Sequence, residues 1–484
     1  MKTILKKYNS MSLMAKASVW FIICNIFLKG ISVITMPIFT RLLSAEDYGT
    51  YSLYLSWFYF MTLFTSLNLY CGAFNNALNR IRDSHERDVY ISSMQGIITS
   101  VVFVLTLICI PFSEKISNAL RLSKTALLLM GIHLLVEPSI QFMLARQRFE
   151  FRYRSAVALT VIKSVINPIL GVILVVNAKS GKADARIFSV VLAEVMISGT
   201  VMLLQFARGK TFYHKKYWKY AIGFNVPLLP HYLSMVILAQ ADRVMIRKIA
   251  GASKVGIYSV AYNLGLVAQI VSNAITGALT PWTYEKLNKK DYRSIRAMTN
   301  TLLIFLAFVI CSILMFVPEL IRIFAPVEYY EAVYVVPPAA CSVFFIFLYN
   351  IFAIPQMYYE KQKFMSIASA AAAVLNIILN QIFITKYGYI AAGYTTVACY
   401  LAYSTGHYIF CRKVCLEESG EFNLYSGKAI FVISGFIVSI SVGFNFLYKT
   451  FILRYLLCTV MILLLILFRK KITDILKELK ERRN

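Results

Sequence analysis

The sequence predicts an all-α integral membrane protein. It comprises about fourteen transmembrane helices: two six-helix lobes related by a pseudo-twofold axis along the membrane normal, plus two C-terminal helices. Three observations predict this. The 484 residues are 59% hydrophobic and 15% charged, with a mean hydropathy of +0.65, whereas soluble domains carry about 45–50% apolar and about 25% charged residues. The apolar excess lies in long continuous runs along the whole chain, which suits helices rather than the short alternating strands of a barrel. Finally, a stretch recurs: Phe39-Thr40-Arg41-Leu42-Leu43-Ser44-Ala45-Glu46-Asp47-Tyr48-Gly49-Thr50-Tyr51-Ser52 reads like Met245-Ile246-Arg247-Lys248-Ile249-Ala250-Gly251-Ala252-Ser253-Lys254-Val255-Gly256-Ile257-Tyr258-Ser259. Arg41 aligns with Arg247. With one extra residue in the later copy, Gly49 aligns with Gly256 and Tyr51-Ser52 with Tyr258-Ser259.

The elements follow in order. Residues 1–15 form an N-terminal cytoplasmic or interfacial segment, with Lys2, Lys6 and Lys7 interleaved with apolar residues. The run after it is too long for a cleaved leader. The first lobe (16–207) has spans at 16–39, 48–73, 89–112, 123–145, 155–177 and 186–207. The second (208–412) has spans at 218–246, 255–281, 298–324, 332–357, 365–386 and 389–411. Each is near the ~20 residues a bilayer requires. Two peripheral spans, 428–448 and 451–469, precede a basic tail at 470–484. A weaker echo, Gln147-Arg148-Phe149 against Gln362-Lys363-Phe364, precedes the fifth span of each lobe.

The net charge of +27 would suggest nucleic acid in a soluble chain. Here the bases concentrate in alternate short loops, such as Arg146, Arg148, Arg152 and Arg154, or Lys286, Lys289, Lys290, Arg293 and Arg296. That is the pattern of loops held inside, and it places both termini in the cytoplasm. No nucleic-acid partner is expected. The nine cysteines are scattered without zinc-ligand spacing. Cys411 and Cys415, one helical turn apart, read as ordinary small apolar residues, and no disulfide framework is expected.

Ionisable residues inside spans are costly and tend to face a cavity. Lys29 lies about ten residues, or roughly 15 Å, from either end of its span, beyond the reach of its own stem. It either lines a lumen or forms a salt bridge inside the first lobe. Lys163 does the same or snorkels to the nearer surface. His133 and Glu137 share one face of the fourth span and Glu194 sits in the sixth. Either acid can pair with Lys29 or Lys163, as structure or as a proton-sensitive switch. His231 follows Pro227 and Pro230, where the seventh helix is expected to bend; it is a gating residue or a satisfied polar group in an irregular turn. Asp242 and Arg243 are neighbours, so they point about 100° apart and are not expected to pair. Arg41 and Arg247 read as outer interfacial anchors or as substrate contacts, and Glu319 with Arg322 as a local ion pair.

In its motifs the chain resembles the polysaccharide-transport branch of the multidrug/oligosaccharidyl-lipid/polysaccharide exporter superfamily. The motifs are Arg41-Leu42-Leu43-Ser44-Ala45-Glu46-Asp47-Tyr48-Gly49-Thr50-Tyr51, Asp242-Arg243, Gly256-Ile257-Tyr258-Ser259-Val260-Ala261-Tyr262 and Tyr387-Gly388-Tyr389-Ile390-Ala391-Ala392-Gly393-Tyr394-Thr395-Thr396. The resemblance implies two lobes around a central cavity in a bacterial cytoplasmic membrane. It implies a flippase moving undecaprenyl-pyrophosphate-linked oligosaccharide from inner to outer leaflet by alternating access, coupled to a proton or sodium gradient. Membrane lipid and polysaccharide polymerase machinery are the other expected partners. On this reading Lys29, Lys163, Arg243, Arg41 and Arg247 meet the anionic substrate. Asp242, Glu137, His133, Glu194 and His231 serve coupling or gating.

Three alternatives compete. A lipid-II-type flippase is separated poorly by sequence. A drug or cation exporter would need an acidic cavity, and the first span holds Lys29 and no acid. A polyprenyl-phosphate-sugar glycosyltransferase could use Glu46 and Asp47, but the large outer loops of such enzymes are missing. Neither a glycine-rich phosphate loop nor a hydrolase motif is present, so no enzyme and no cofactor is expected.

Overall fold

The computed structural model describes residues 13–361, 363–421 and 423–459; at Lys29 and several neighbours in the first helix, and at 363 and 364, it describes the backbone alone. Within that range every regular element is a helix. The first two helices, Leu13–Leu42 and Ala45–Ser66, meet at Ser44, whose hydroxyl accepts the Asp47 amide as an N-cap. A short helix, Ala73–Arg80, leads into Ser84–Cys109, capped by Asp83. Lys124–Phe149, capped by Ser123, Tyr153–Asn177 and the pair Lys182–Glu194 and Thr200–Gly209 complete the first half. Between the last two lies a single π-turn, Val195–Gly199.

The seventh span is helical from Lys215 to Asn225 and from Leu229 to Ala250, with a 3-10 turn at Val226–Leu228. This break contains Pro227, which lacks the N–H that would continue the ladder. Gly251, at φ +94°, turns the chain directly into Ala252–Gly265; a side chain would strain that conformation. Val267–Asn288, Tyr292–Met315, Val336–Tyr358, Lys363–Tyr387, Ala391–Ser419 and Gly427–Leu447 follow. The ninth span differs from its expected range. It ends at Met315, and Val317–Phe324 is a separate short helix with Pro318 in its first turn. Residues 460–484, which include most of the last expected span and the basic tail, lie outside the described residues, as do Gln362 and the side chains of Lys363 and Phe364.

Ten helices among the described residues are long and apolar enough to cross a membrane, so the expected fourteen is not reached by that measure. The helices Ala45–Ser66 and Ala391–Ser419 have the length, at 22 and 29 residues. They are rich in Tyr, Ser and Thr, which lowers their hydropathy.

Packing divides the chain into two hydrophobic cores. One gathers Tyr54, Phe74, Tyr90 and Phe142 from the first half. The other gathers Tyr258, Phe344, Phe345 and Phe352 from the second, and extends into the first half at Met36, Phe39, Leu43 and Tyr48. The first half of the seventh span belongs to the earlier core. Ala221 is buried there, and the Trp218 indole donates to the Ser93 carbonyl at 3.0 Å. Beyond the break, Leu229–Ala250 packs on Lys363–Tyr387.

The two halves are joined where the repeated motifs cross. A Cβ added to Gly49 would lie 1.9 Å from the Ala252 carbonyl oxygen, and one added to Gly256 would lie 2.1 Å from that of Ala45. Ala45 and Gly49 in one copy correspond to Ala252 and Gly256 in the other, so the contact is reciprocal, as a twofold relation requires. Thr40 Oγ1 donates to the Phe324 carbonyl at 2.6 Å and Arg41 Nη2 to that of Ile323 at 2.8 Å, capping Val317–Phe324 from the other half.

Gly256→Val drives a branched side chain into the Ala45 carbonyl. The expected cost is at least the ~1–3 kcal/mol of an overpacked core, read as a lower unfolding temperature in detergent. Gly435→Ala, where a Cβ meets nothing within 4 Å, is the neutral control.

Candidate functional site

Two polar clusters, one in each half, lie within the spans. In the second half, Asp242 is 1% exposed. Its carboxylate accepts hydrogen bonds from Tyr258 Oη (2.5 Å), Thr396 Oγ1 (2.8 Å) and Asn380 Nδ2 (2.7 Å). Asn380 is itself bound by Thr395 and donates to Asn376 Oδ1 at 3.2 Å. Three helices thus converge on one carboxylate that only neutral groups contact. Neutral donors stabilise the charge without cancelling it.

Arg243 points elsewhere. Its guanidinium donates to the Ala239 carbonyl (3.0 Å) and the Ser259 hydroxyl (3.3 Å) and lies over the Tyr262 ring at 4.9 Å. No salt bridge to it forms among the described residues. Arg186, at the start of the sixth span, has the same character: 6% exposed, bonded to Ser189 and Asn167, and stacked over Phe39 at 4.0 Å and Tyr51 at 5.0 Å. Tyr51 is the repeat counterpart of Tyr258, above which Arg243 lies at 5.9 Å. Each copy of the motif therefore carries a buried arginine on the same tyrosine.

In the first half, Lys163 Nζ pairs with Glu194 Oε1 at 2.6 Å. Ser198 Oγ donates to Glu194 at 2.6 Å from within the π-turn. Such turns often mark functional positions. His133 Nδ1 shares a 3.1 Å hydrogen bond with Tyr54 Oη, and its ring stacks on Phe58 at 3.7 Å. Glu137 accepts from Gln141 at 2.6 Å, and its second carboxylate oxygen has no hydrogen-bond partner among the described residues. Tyr59, on Ala45–Ser66, is 48% exposed.

The remaining expected residues fall outside these clusters. Arg41 caps a helix of the opposite half, as described. Arg247 is half-buried, and its carbonyl accepts from Arg121 at 3.3 Å. His231 hydrogen-bonds Ser369 Oγ at 2.9 Å, just beyond the break in its helix. The side chain of Lys29 lies outside the described residues. The local Glu319–Arg322 pair is not formed. Glu319 instead receives a bidentate contact from Arg454, in the helical stretch 451–459. Arg454 is 5% exposed, and a buried guanidinium gains more from a fork-on-fork contact than from an exposed neighbour. Sequence reading passed over Arg186, Asn376 and Asn380. Two asparagines four apart inside an apolar run were the available signal for the latter pair.

A family model described as polysaccharide biosynthesis protein matches residues 14–286, more than half of the chain. The chain belongs to this family. A second model, MatE, matches residues 227–382. Among relatives, it is 26% identical over 163 residues to the Lsg locus putative protein 1 of Haemophilus influenzae. It is 24% identical over 292 residues to the succinoglycan biosynthesis transport protein ExoT of Rhizobium meliloti. The matches take in 32% and 58% of this chain, and the chain spans only 39% and 56% of those relatives' length. Its fold is that of the lipid II flippase MurJ in an inward closed conformation (TM-score 0.68, 15% identity, 94% of this chain and 100% of that one). It is also that of an inward-facing multidrug resistance MATE family transporter (TM-score 0.59, 13% identity, 81% and 96%).

Lys163→Ala leaves Glu194 buried without its cation. The expected destabilisation is about 3–5 kcal/mol. The double variant Lys163→Met with Glu194→Gln should recover most of it in the same thermal unfolding assay. A single-variant loss below about 1 kcal/mol would mean that the pair is solvent-screened.

Proposed function

We propose that this protein is a flippase for undecaprenyl-pyrophosphate-linked oligosaccharide, moving it from the inner to the outer leaflet of a bacterial cytoplasmic membrane. The observation that carries the reading is Arg243, a buried guanidinium on Leu229–Ala250 that has no carboxylate partner among the described residues. A charged headgroup cannot cross hydrocarbon unaided. A cation kept free of internal salt bridges offers its phosphates charge-assisted hydrogen bonds, while the lipid tail stays in the bilayer. Membership of a polysaccharide biosynthesis family and the likeness to a succinoglycan transport protein support a glycan cargo.

Alternating access is the mechanism in this reading, and contacts between the halves support it. The crossing glycines, the Thr40 and Arg41 caps and the Arg121–Arg247 contact all lie at the ends of spans opposite the basic loops. With the basic loops inside, they serve as the outer closure. Lys29 is assigned to the substrate path with Arg243, Lys163, already paired with Glu194, to the gating cluster, and Arg41 and Arg247 to the outer seal.

Asp242 is the coupling residue in this reading. The carboxylate and the side-chain oxygens of Asn376, Asn380, Thr395 and Thr396 form a set suited to a hard monovalent cation such as sodium. The same carboxylate accepts a proton if the gradient is one of protons. His133, Glu137 and Glu194 form a second, gating cluster, with His231 beside the break of the seventh helix. Lipid II is the competing cargo, favoured by the fold likeness to MurJ. That likeness speaks to architecture.

Deletion of the gene should leave the lipid-linked glycan on the inner leaflet, inaccessible to a periplasmic ligase or to an impermeant lectin. Arg243→Gln should lower surface glycan about tenfold or more, in keeping with the ~1.5–3 kcal/mol of a hydrogen bond to a charged group, at equal protein abundance. Unchanged glycan with altered drug tolerance would reject the reading. Asp242→Asn should abolish the dependence of transport on a sodium or proton gradient, measured in vesicles with each gradient imposed separately.

A further inference from the structure

A groove of about 540 Å³ opens between the eleventh helix (Lys363–Tyr387) and the twelfth (Ala391–Ser419), lined by Leu379, Phe383, Tyr387, Tyr394, Thr395 and Ala398 among others. Ile378, Ile382 and Phe383 are 50%, 53% and 39% exposed on the same helix, an apolar exposed flank of the kind that lipid covers in a membrane-spanning helix.

Two features give the groove a direction. At its mouth, Tyr387 is 61% exposed and Lys386 Nζ sits over its ring at 5.3 Å. No salt bridge to Lys386 forms among the described residues; Glu331, which accepts from Tyr389 Oη three residues on, is paired with Lys254. A tyrosine and a free cation at a helix end mark the headgroup level of a bilayer. Along its wall stands Thr395, whose hydroxyl donates to Asn380 Oδ1, and Asn380 Nδ2 donates to Asp242 at 2.7 Å. One threonine therefore borders the lipid-facing groove and also positions the amide that binds the buried carboxylate.

We propose that this groove holds one hydrocarbon chain of an anionic membrane phospholipid, its phosphate against Lys386, and that the bound chain tunes the Asp242 cluster through Thr395 and Asn380. An apolar chain fits an apolar groove that opens onto lipid, and its headgroup phosphate complements the uncompensated Lys386. With the chain in place Thr395 is held toward Asn380, and the donor geometry at Asp242 is fixed. Without the chain, nothing packs on the groove side of Thr395, and other rotamers compete with the one that donates to Asn380. Lipid occupancy and cation or proton affinity at Asp242 are then linked, each altering the other by the same factor. The link to Asp242 rests on the coupling role given to that residue above; the lipid site itself does not.

The test uses the purified full chain and phosphatidylglycerol, followed by native mass spectrometry. The wild-type protein should retain one phosphatidylglycerol after delipidation. Ala398→Trp, which fills the groove from its exposed side, should lose it. Lys386→Glu, at the solvent-exposed mouth and harmless to folding, should retain far less. Equal retention in all three proteins overturns the site, and so does displacement of the bound lipid by undecaprenyl phosphate, since the occupant would then be the carrier. For the link, added phosphatidylglycerol should shift the sodium concentration or the pH at which the wild-type protein is thermally stabilised, and leave Ala398→Trp unshifted. Lipid loss with an unshifted wild-type response overturns the coupling alone. Neither readout requires transport, so the flippase reading can fail while this one stands.

Discussion

The architecture depends on the crossing of two helices whose backbones touch at Gly49 and Gly256. Nothing larger than hydrogen fits at either position. Small residues allow helices to approach this closely in a membrane, where apolar surface area gives no preference for protein over lipid. Because each glycine meets the carbonyl of the alanine that precedes its counterpart, one steric requirement is met twice by one sequence motif. The Thr40 and Arg41 contacts, the burial of Phe39 and Leu43 in the opposite core and the positions of the stacked arginines all follow from this junction.

The repeat made much of this legible in advance. It paired Gly49 with Gly256 and Tyr51 with Tyr258, and those residues sit at the junction and beneath the arginines. Apolar run lengths located most of the helices, and Pro227 marked the break in the seventh. Less legible was what depends on distant partners. Glu319 has a suitable base three residues away, yet it binds Arg454, because the local neighbour stays near solvent while the remote one is buried. Asp242 stood out as an acid in an apolar run. Its three donors lie on separate helices, and no spacing rule brings Tyr258, Asn380 and Thr396 together. Arg186 read as the edge of a span, since its burial is supplied by Phe39, Tyr51, Asn167 and the space that Gly171 leaves beside it. The tyrosine-rich helices have a lower hydropathy for a related reason: many of their polar side chains are buried inside the protein, which composition does not register.

Charge is managed differently in the two halves. In the first, Lys163 and Glu194 neutralise one another beside a π-turn, and Glu137 keeps one carboxylate oxygen unbonded. In the second, Asp242 and Arg243 are adjacent in sequence and separate in space, each surrounded by neutral dipoles. A paired charge is silent toward an incoming ion, whereas a charge solvated by dipoles keeps its field. The asymmetry gives the duplicated halves distinct electrostatic roles on a common frame.

The seventh span changes allegiance partway through. Its opening segment is fastened to the earlier core by Tyr217, Trp218 and Ala221, and its remainder is fastened to the later one. A short joint at Val226–Leu228 is therefore the covalent strap between the two bodies, and the glycine junction ties them at the other end of the same span. Between those points Ser56 Oγ donates to Gln240 Oε1 at 3.0 Å, closing the seam along its length. A swing of one body against the other must break that bond while strap and glycines hold, as a book opens on its spine.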